Sequence, residues 1–166
     1  DHTVVNFIKG RSSYLLTDLS LEKANRALLS AVQNYWLKHG VSDIRKVIHT
    51  GDSIDNKCNY DNTAGLHIMR LFNNIFINFR GKRLLLLSDS DLFEYNINKK
   101  VKLDYLIIAN NLKLQIETIT TMFDTDRIII DSSNDFRTRQ FWDNECKSNG
   151  IDYNIIFVEG AFEIEL

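Results

Sequence analysis

Hydrophobic and polar positions alternate from the first residues of the chain. "TVVNFI" and "YLLTD" read as two strands, joined by "KGRSS", where Gly10 is free to take a positive φ. The period then changes. In "SLEKANRALLSAVQNYWLKHG" the apolar residues Ala24, Leu28, Ala31, Val32, Tyr35 and Trp36 recur at helical spacing, with Ser20 as N-cap and Gly40 as the residue that ends the helix. "RKVIHT" is a short strand, and the polar stretch from Gly51 to Thr63 is the longest irregular segment. "GLHIMRLF" is too short to assign by period. "NIFINF", "RGKR" and "LLLLSD" form a second hairpin whose last strand is apolar enough to be buried on both faces. Strands and helices then alternate: "LDYLIIA", a helix near Leu114–Phe123, "RIIID", a helix near Asp135–Asn149, "YNIIFV", a tight turn at Glu159-Gly160 and a final strand in "AFEIEL". Hairpins followed by strand–helix units predict a mixed α/β protein with more than one sheet.

Composition narrows this picture without redirecting it. The 166 residues suffice for one domain with a real core, and 44% hydrophobic with 25% charged residues is ordinary for a globular domain. A net charge of −2 gives no global pull toward nucleic acid or anionic membrane, although a local basic patch remains compatible with it. No apolar stretch approaches bilayer-spanning length, and no signal peptide is evident. The opening at Asp1, in mid-strand rhythm, predicts a piece of a longer protein. Cys58 and Cys146 make no metal spacing and no disulfide framework; two buried free thiols are expected, with a single pairing as the other possibility.

Candidate chemistry collects at strand ends. Asp18 follows "YLLT", His49 follows "KVI" with Asp52 and Asp55 just beyond, and Ser88-Asp89 follow "LLLL". Asn110-Asn111 follow "LIIA", and Asp131, Ser132, Ser133 and Asn134 follow "RIII". Loops at the carboxyl ends of strands are where α/β folds build sites, but Asp and Ser also cap helices and Asn tolerates turn geometry. Of the four histidines only His49 is well placed for a metal; His39 closes a helix and His67 lies in an apolar segment. Oxygen ligation by Asp52, Asp55, Asp89 and Asp91 would suit Mg²⁺ or Ca²⁺, without EF-hand spacing. The stretch Asp131–Asn134 lacks the glycines of a phosphate loop, and no histidine follows Ser132 or Ser133 to act as a base.

The order of these strand ends, with "LDYLIIANN", "RIIIDSSNDFRTRQFWDNECKSNGI", "EGAFEIEL" and the opening "HTVVNFIKGRSSYLLTD", resembles the C-terminal, metallo-β-lactamase-like domain of the ComEC family of DNA-uptake channel proteins, in particular its divergent Bacteroidetes form. The resemblance implies a compact, degenerate αββα sandwich, two mixed sheets flanked by helices, spanning 1–166 as a single domain. It also implies a longer, membrane-attached protein with this domain on the periplasmic side. Competent members gather two metal ions at strand-end loops. Here "VIHTGDSIDN" stands where the His-x-His-x-Asp-His signature belongs, and Gly51 occupies the place of the second histidine. Ser88-Asp89 replaces Gly-Asp, and Asn110-Asn111 replaces His-His. One matching acid cannot hold two cations, so His49, Asp52, Asp89, Asn110, Asn111 and Asp131 are expected to form a vestigial site holding no metal. The expected function is non-catalytic support of DNA uptake by binding single-stranded DNA or the channel portion of the same protein. The other reading is a metal-dependent nuclease that degrades the non-transported strand, with Zn or Mn at a residual site. Lys82, Arg83, Arg137 and Arg139 are candidate DNA contacts, with Trp142 or Phe136 as stacking surfaces.

Overall fold

The computed structural model describes residues 2–18, 32–49, 59–61 and 65–165, with backbone alone for 45–49 and 59–61. The chain divides into two compact units, His2–Ser53 and Ile54–Leu166.

In the first unit, β1 (Val4–Lys9) and β2 (Ser12–Thr17) form an antiparallel hairpin, and β3 (Asp43–His49) lies parallel to β2. The hairpin closes through Gly10 at φ 58, a left-handed conformation that suits the twist of paired strands and that glycine adopts without a Cβ clash. Parallel strands need a crossover, and residues 32–38, which are helical (α1), lie within it. Val32 and Trp36, one helical turn apart, bury against Leu15, with Val4, Ile8 and Val41 around them. Gly40, at φ 64, ends the helix as the sequence predicts, and the Val41 N–H donates back to the Trp36 carbonyl at 2.9 Å. The predicted helix start at Ser20 lies outside the described residues.

The second unit is one seven-stranded sheet of order β10-β9-β8-β7-β6-β5-β4. Its first half, β4 (Asn59–Asp61), β5 (Leu66–Leu71), β6 (Asn74–Phe79) and β7 (Lys82–Leu87), is antiparallel. Its second half pairs β7 with β8 (Val101–Ile108), β9 (Phe123–Ile130) and β10 (Tyr153–Ile155) in parallel. A 3₁₀ turn (Asp91–Glu94) lies between β7 and β8, α2 (Ile116–Met122) between β8 and β9, and α3 (Phe136–Asn149) between β9 and β10. The parallel strands read as apolar runs because both their faces are buried: Leu84 to Leu87, Leu106 to Ile108 and Ile128 to Ile130 are all buried. On one face Leu85, Leu87, Leu106, Ile108, Ile128 and Ile130 pack against Ile116, Ile119 and Met122 of α2 and Trp142 and Cys146 of α3. Two mixed sheets with few helices place the protein in the α/β class. Among the described residues no helix is long and apolar enough to cross a membrane.

Several sequence expectations need correction. "GLHIMRLF", unassigned by period, supplies β5, and part of the predicted irregular stretch 51–63 supplies β4. The α2 helix starts at Ile116, whose N–H donates to the Glu145 carboxylate of α3 at 3.0 Å, and Phe123 already belongs to β9. "YNIIFV" is a strand only to Ile155. Ile156–Glu159 then forms a single helical turn, α4, whose Glu159 carboxylate reaches back to accept from Ile155 N at 2.8 Å and Asn154 Nδ2 at 2.6 Å. Gly160, at φ 87 and ψ −167, turns the chain away, and no strand forms over 161–165. That segment is anchored instead by Phe162, whose ring lies 5.5 Å from Tyr105 and beneath the Arg127 guanidinium.

Candidate functional site

Parallel pairing puts Leu87, Ile108 and Ile130 side by side. The loops that follow β7, β8 and β9 therefore leave from one edge of the sheet, and Asp89, Asn110, Asn111 and Asp131 all belong to it. The structure brings the last three together with Ser133, Asn134 and Asp135, while Asp89 belongs to a separate group of bonds.

After β8 the chain reverses in a turn closed by Leu112 N donating to Ala109 O at 3.3 Å. Its two central residues, Asn110 and Asn111, both stand at φ 59, where asparagine is among the more readily accommodated side chains. The loop after β9 holds this turn. Asn110 N donates to Ser133 Oγ at 3.1 Å, and Asn111 N donates to Asn134 Oδ1 at 3.0 Å. Asn111 Oδ1 accepts from Asp135 N at 2.6 Å. The fully buried Asn134 spends its amide protons on Ile108 O at 2.7 Å and Asp131 O at 2.9 Å. Asp131, also buried, accepts from Ser133 N at 3.0 Å. The result is a clasp between adjacent strand ends that satisfies backbone groups with no side chain to cap them locally. The cap of α3 is Asp135, whose carboxylate accepts from Thr138 N at 2.7 Å; that bond holds the Asp135 carboxyl below its ordinary range.

Asp89 is engaged in the same manner with β6. Its carboxylate accepts from Asn74 Nδ2 at 2.6 Å, Asn73 N at 3.1 Å and Asp91 N at 3.2 Å. Asn74, buried, returns the contact by accepting from Ser88 N at 2.8 Å and Asp89 N at 3.2 Å. Sequence reasoning did not single out Asn74 or Asn134 as the centres of these two networks. The signal was a polar residue at a strand start and another at a helix entry, positions that usually need no further explanation.

A metal ion would need these oxygens. The described donors do not fit one: the Asp89 carboxylate already takes three N–H donors, and the Asn111 carbonyl takes the N–H of Asp135. Among the described residues no three of the His, Cys, Asp and Glu side chains that bind metals come together. His49 closes β3 by backbone pairing with Thr17, and its side chain, with Asp52 and Asp55, lies outside the described residues. At the end of β2, Asp18 accepts from Thr3 N at 3.1 Å and stands 3.4 Å from the His2 ring.

The basic candidates separate. Lys82 and Arg83 start β7, at the opposite end of the strand from Asp89, and both meet Asp104. Lys82 Nζ donates to it at 2.8 Å and Arg83 N at 2.9 Å, with the Arg83 guanidinium 4.0 Å away. Burial alone would raise the Asp104 carboxyl, but these hydrogen bonds and the two cationic charges hold it below its ordinary range. The bond to Asp104 in turn raises the Lys82 ammonium. Arg137 and Arg139, by contrast, sit in the first turns of α3 at the carboxyl edge. Arg137 is exposed, while the Arg139 guanidinium lies 4.0 Å from the centre of the Phe157 ring and donates to Asn134 O. Phe136 is exposed, but Trp142 is not a stacking surface: it is fully buried in the core, with Nε1 donating to Leu112 O at 2.7 Å. Cys146 is a buried free thiol, pushed up to about 12 by burial and then by the neighbouring Glu145 and Asp143 charges; Cys58 lies outside the described residues.

Compared with known proteins, the chain matches the family model described as the ComEC C-terminal domain over residues 1–166, its whole length. No curated protein and no solved structure gives a match.

Proposed function

We propose, because the chain belongs to the ComEC C-terminal domain family, that it is a non-catalytic domain of a competence protein and supports DNA uptake by binding DNA or the channel portion of that protein. The family ties the chain to competence and to a membrane protein; the absence of catalysis is our own reading. On that reading the domain has a metallo-β-lactamase-like fold and lies on the periplasmic side of the membrane, and no metal is bound. The supporting observation is that the oxygens of Asp89, Asn111 and Asn134, at the strand ends where a hydrolase of this family would hold its ions, are consumed in hydrogen bonds to neighbouring backbone and amide groups. A cation at these oxygens would compete with hydrogen bonds that are exposed or partly buried, each contributing about 0.5–1.5 kcal/mol. For a DNA role the candidate contacts are Lys82, Arg83, Arg137 and Arg139; the single Asp104 carboxylate offsets one of the two charges at the start of β7.

Metal analysis of the purified protein, with a single-strand nuclease assay in Mn²⁺ and Zn²⁺, tests this reading. The expected result is substoichiometric metal and no cleavage above a buffer control. Stoichiometric metal with cleavage abolished in Asp89→Ala would establish the nuclease instead.

A further inference from the structure

The chain leaves α3 through "KSNGI", and Asn149 is the one asparagine of the sequence that glycine follows. That dipeptide carries chemistry of its own. The Gly150 nitrogen can attack the Asn149 side-chain carbonyl carbon, because glycine has no Cβ to hinder the approach. A new N–Cγ bond forms as the Cγ–Nδ2 bond breaks, and the proton of the Gly150 nitrogen leaves with the ammonia. The product is a five-membered imide. Water opens it at either carbonyl, leaving an aspartate or an isoaspartate at position 149.

The fold withholds both reacting groups. Gly150 stands at φ 64 and its N–H donates to Lys147 O at 3.3 Å, while Ile151 N–H donates to Cys146 O at 3.0 Å. These are the two bonds that close a left-handed helix end. Ile151 packs against the core cluster that holds the buried Cys146, the apolar contact that accompanies such an end. Asn149 Nδ2, the leaving group, donates to Glu145 O at 2.9 Å. Attack on Cγ would break the Gly150 and Asn149 bonds together, so the turn must open before the imide can form.

We propose that Asn149-Gly150 is a site of spontaneous deamidation gated by the C-terminal turn of α3, shut while that turn is closed and reactive whenever it unravels. The product holds the gate open. A carboxylate at position 149 cannot donate to Glu145 O, and it sets negative charge at the negative end of the helix dipole. An isoaspartate also adds a methylene to the main chain, which carries the Gly150 and Ile151 N–H groups out of register with their acceptors. Each opening that reacts therefore leaves a permanent mark on the cap that should have reclosed. The gate is independent of whether the domain binds DNA or is catalytic.

The test is to age the protein at mildly alkaline pH, folded and in concentrated guanidinium chloride, and to follow the tryptic peptide that begins at Ser148 by mass spectrometry. Conversion of amide to acid in that peptide should be about tenfold or more slower in the folded protein, because hydrogen bonds and an apolar contact hold the turn closed. Asn149→Gln should abolish the signal, since the longer side chain closes a ring far more slowly. Asn154, in the same peptide but followed by isoleucine, is the internal control. Ile151→Ser removes the apolar anchor and keeps the backbone bonds, and should speed the reaction in the folded protein about threefold or more. Thermal unfolding checks that this variant remains folded. Hydrogen exchange reads the same gate in the unaltered chain: the Gly150 N–H should be protected by about the factor that slows deamidation. Equal rates in folded and denatured protein would overturn the proposal, as would a signal that survives Asn149→Gln. So would a folded Ile151→Ser protein that reacts no faster, or a Gly150 N–H that exchanges freely while deamidation stays slow.

Discussion

The two ends of β7 hold polar residues in opposite ways. At its amino end Lys82 and Arg83 meet Asp104, a charged cluster in which the cations are substantially exposed and water screens much of the attraction. At its carboxyl end, and at the neighbouring end of β8, uncharged amides do most of the binding: Asn74 ties β6 to β7, and Asn134 ties β8 to β9, both fully buried. Removing a buried amide takes several hydrogen bonds out of a dry environment at once, whereas an exposed ion pair dissolves into solvent at little cost. The carboxyl edge is among the most tightly specified polar parts of the sheet.

The largest expected effect breaks that edge. Asn134→Ala removes the acceptor for Asn111 N and both donors to Ile108 O and Asp131 O. Ile108 O keeps the Asp131 N–H at 3.0 Å and Asp131 O keeps the Asn134 N–H at 3.2 Å. The loss is therefore of three hydrogen bonds worth about 0.5–1.5 kcal/mol each, and the variant should lose about 2 kcal/mol or more of unfolding free energy in urea titration. A loss under about 1 kcal/mol would mean that water replaces the amide and that the edge is open, on the pattern of a functional cleft.

Much of this edge was legible in the sequence as position but not as partnership. The runs "LLLL", "LIIA" and "RIII" place β7, β8 and β9 because a strand buried on both faces must be apolar at successive positions, and the polar residues after each run mark the ends. That asparagine would occupy turn geometry also follows from its short side chain, and Asn110 and Asn111 do so. What joins them to Ser133 and Asn134 is a separation of 23 residues, closed only by the parallel register of β8 and β9. The same dependence on tertiary contact explains the errors. β5 escaped notice because it alternates buried Leu66 and Ile68 with partly exposed His67 and Met69 over only six residues. "AFEIEL" has strand-like alternation, but Gly160 redirects it and Phe162 finds the Tyr105 ring, so it gains burial without pairing.

Within the clasp a smaller effect separates backbone conformation from side-chain bonding. Asn110 has a positive φ and its N–H, not its side chain, makes the bond to Ser133. Asn110→Gly should keep that bond and leave stability within about 0.5 kcal/mol of wild type, because glycine adopts this φ without strain. Asn110→Ala keeps the bond too but adds a Cβ less tolerant of the left-handed region, and should cost about 1 kcal/mol. The two variants differ at one carbon. Equal unfolding free energies for them would show that the turn rearranges rather than being held at φ 59 by its neighbours.

The smallest expected effect lies at the charged end of β7, and its pH dependence identifies it. Asp104 has a folded-state carboxyl below its ordinary value, so its contribution is present above the unfolded carboxylate range, near pH 4, and is lost as pH falls through the folded value. Asp104→Asn removes the charge while keeping the shape. The difference in unfolding free energy between wild type and Asp104→Asn should be constant from about pH 7 to pH 5 and should shrink below about pH 4. Because both cations are well exposed, that difference should stay below about 1 kcal/mol and fall further in high salt, as screening of the Lys82 and Arg83 charges predicts. A difference that matched Asn134→Ala in size, or that persisted unchanged in high salt and at pH 3, would show that Asp104 does not act through screened charge, erasing the contrast between the two ends of the strand.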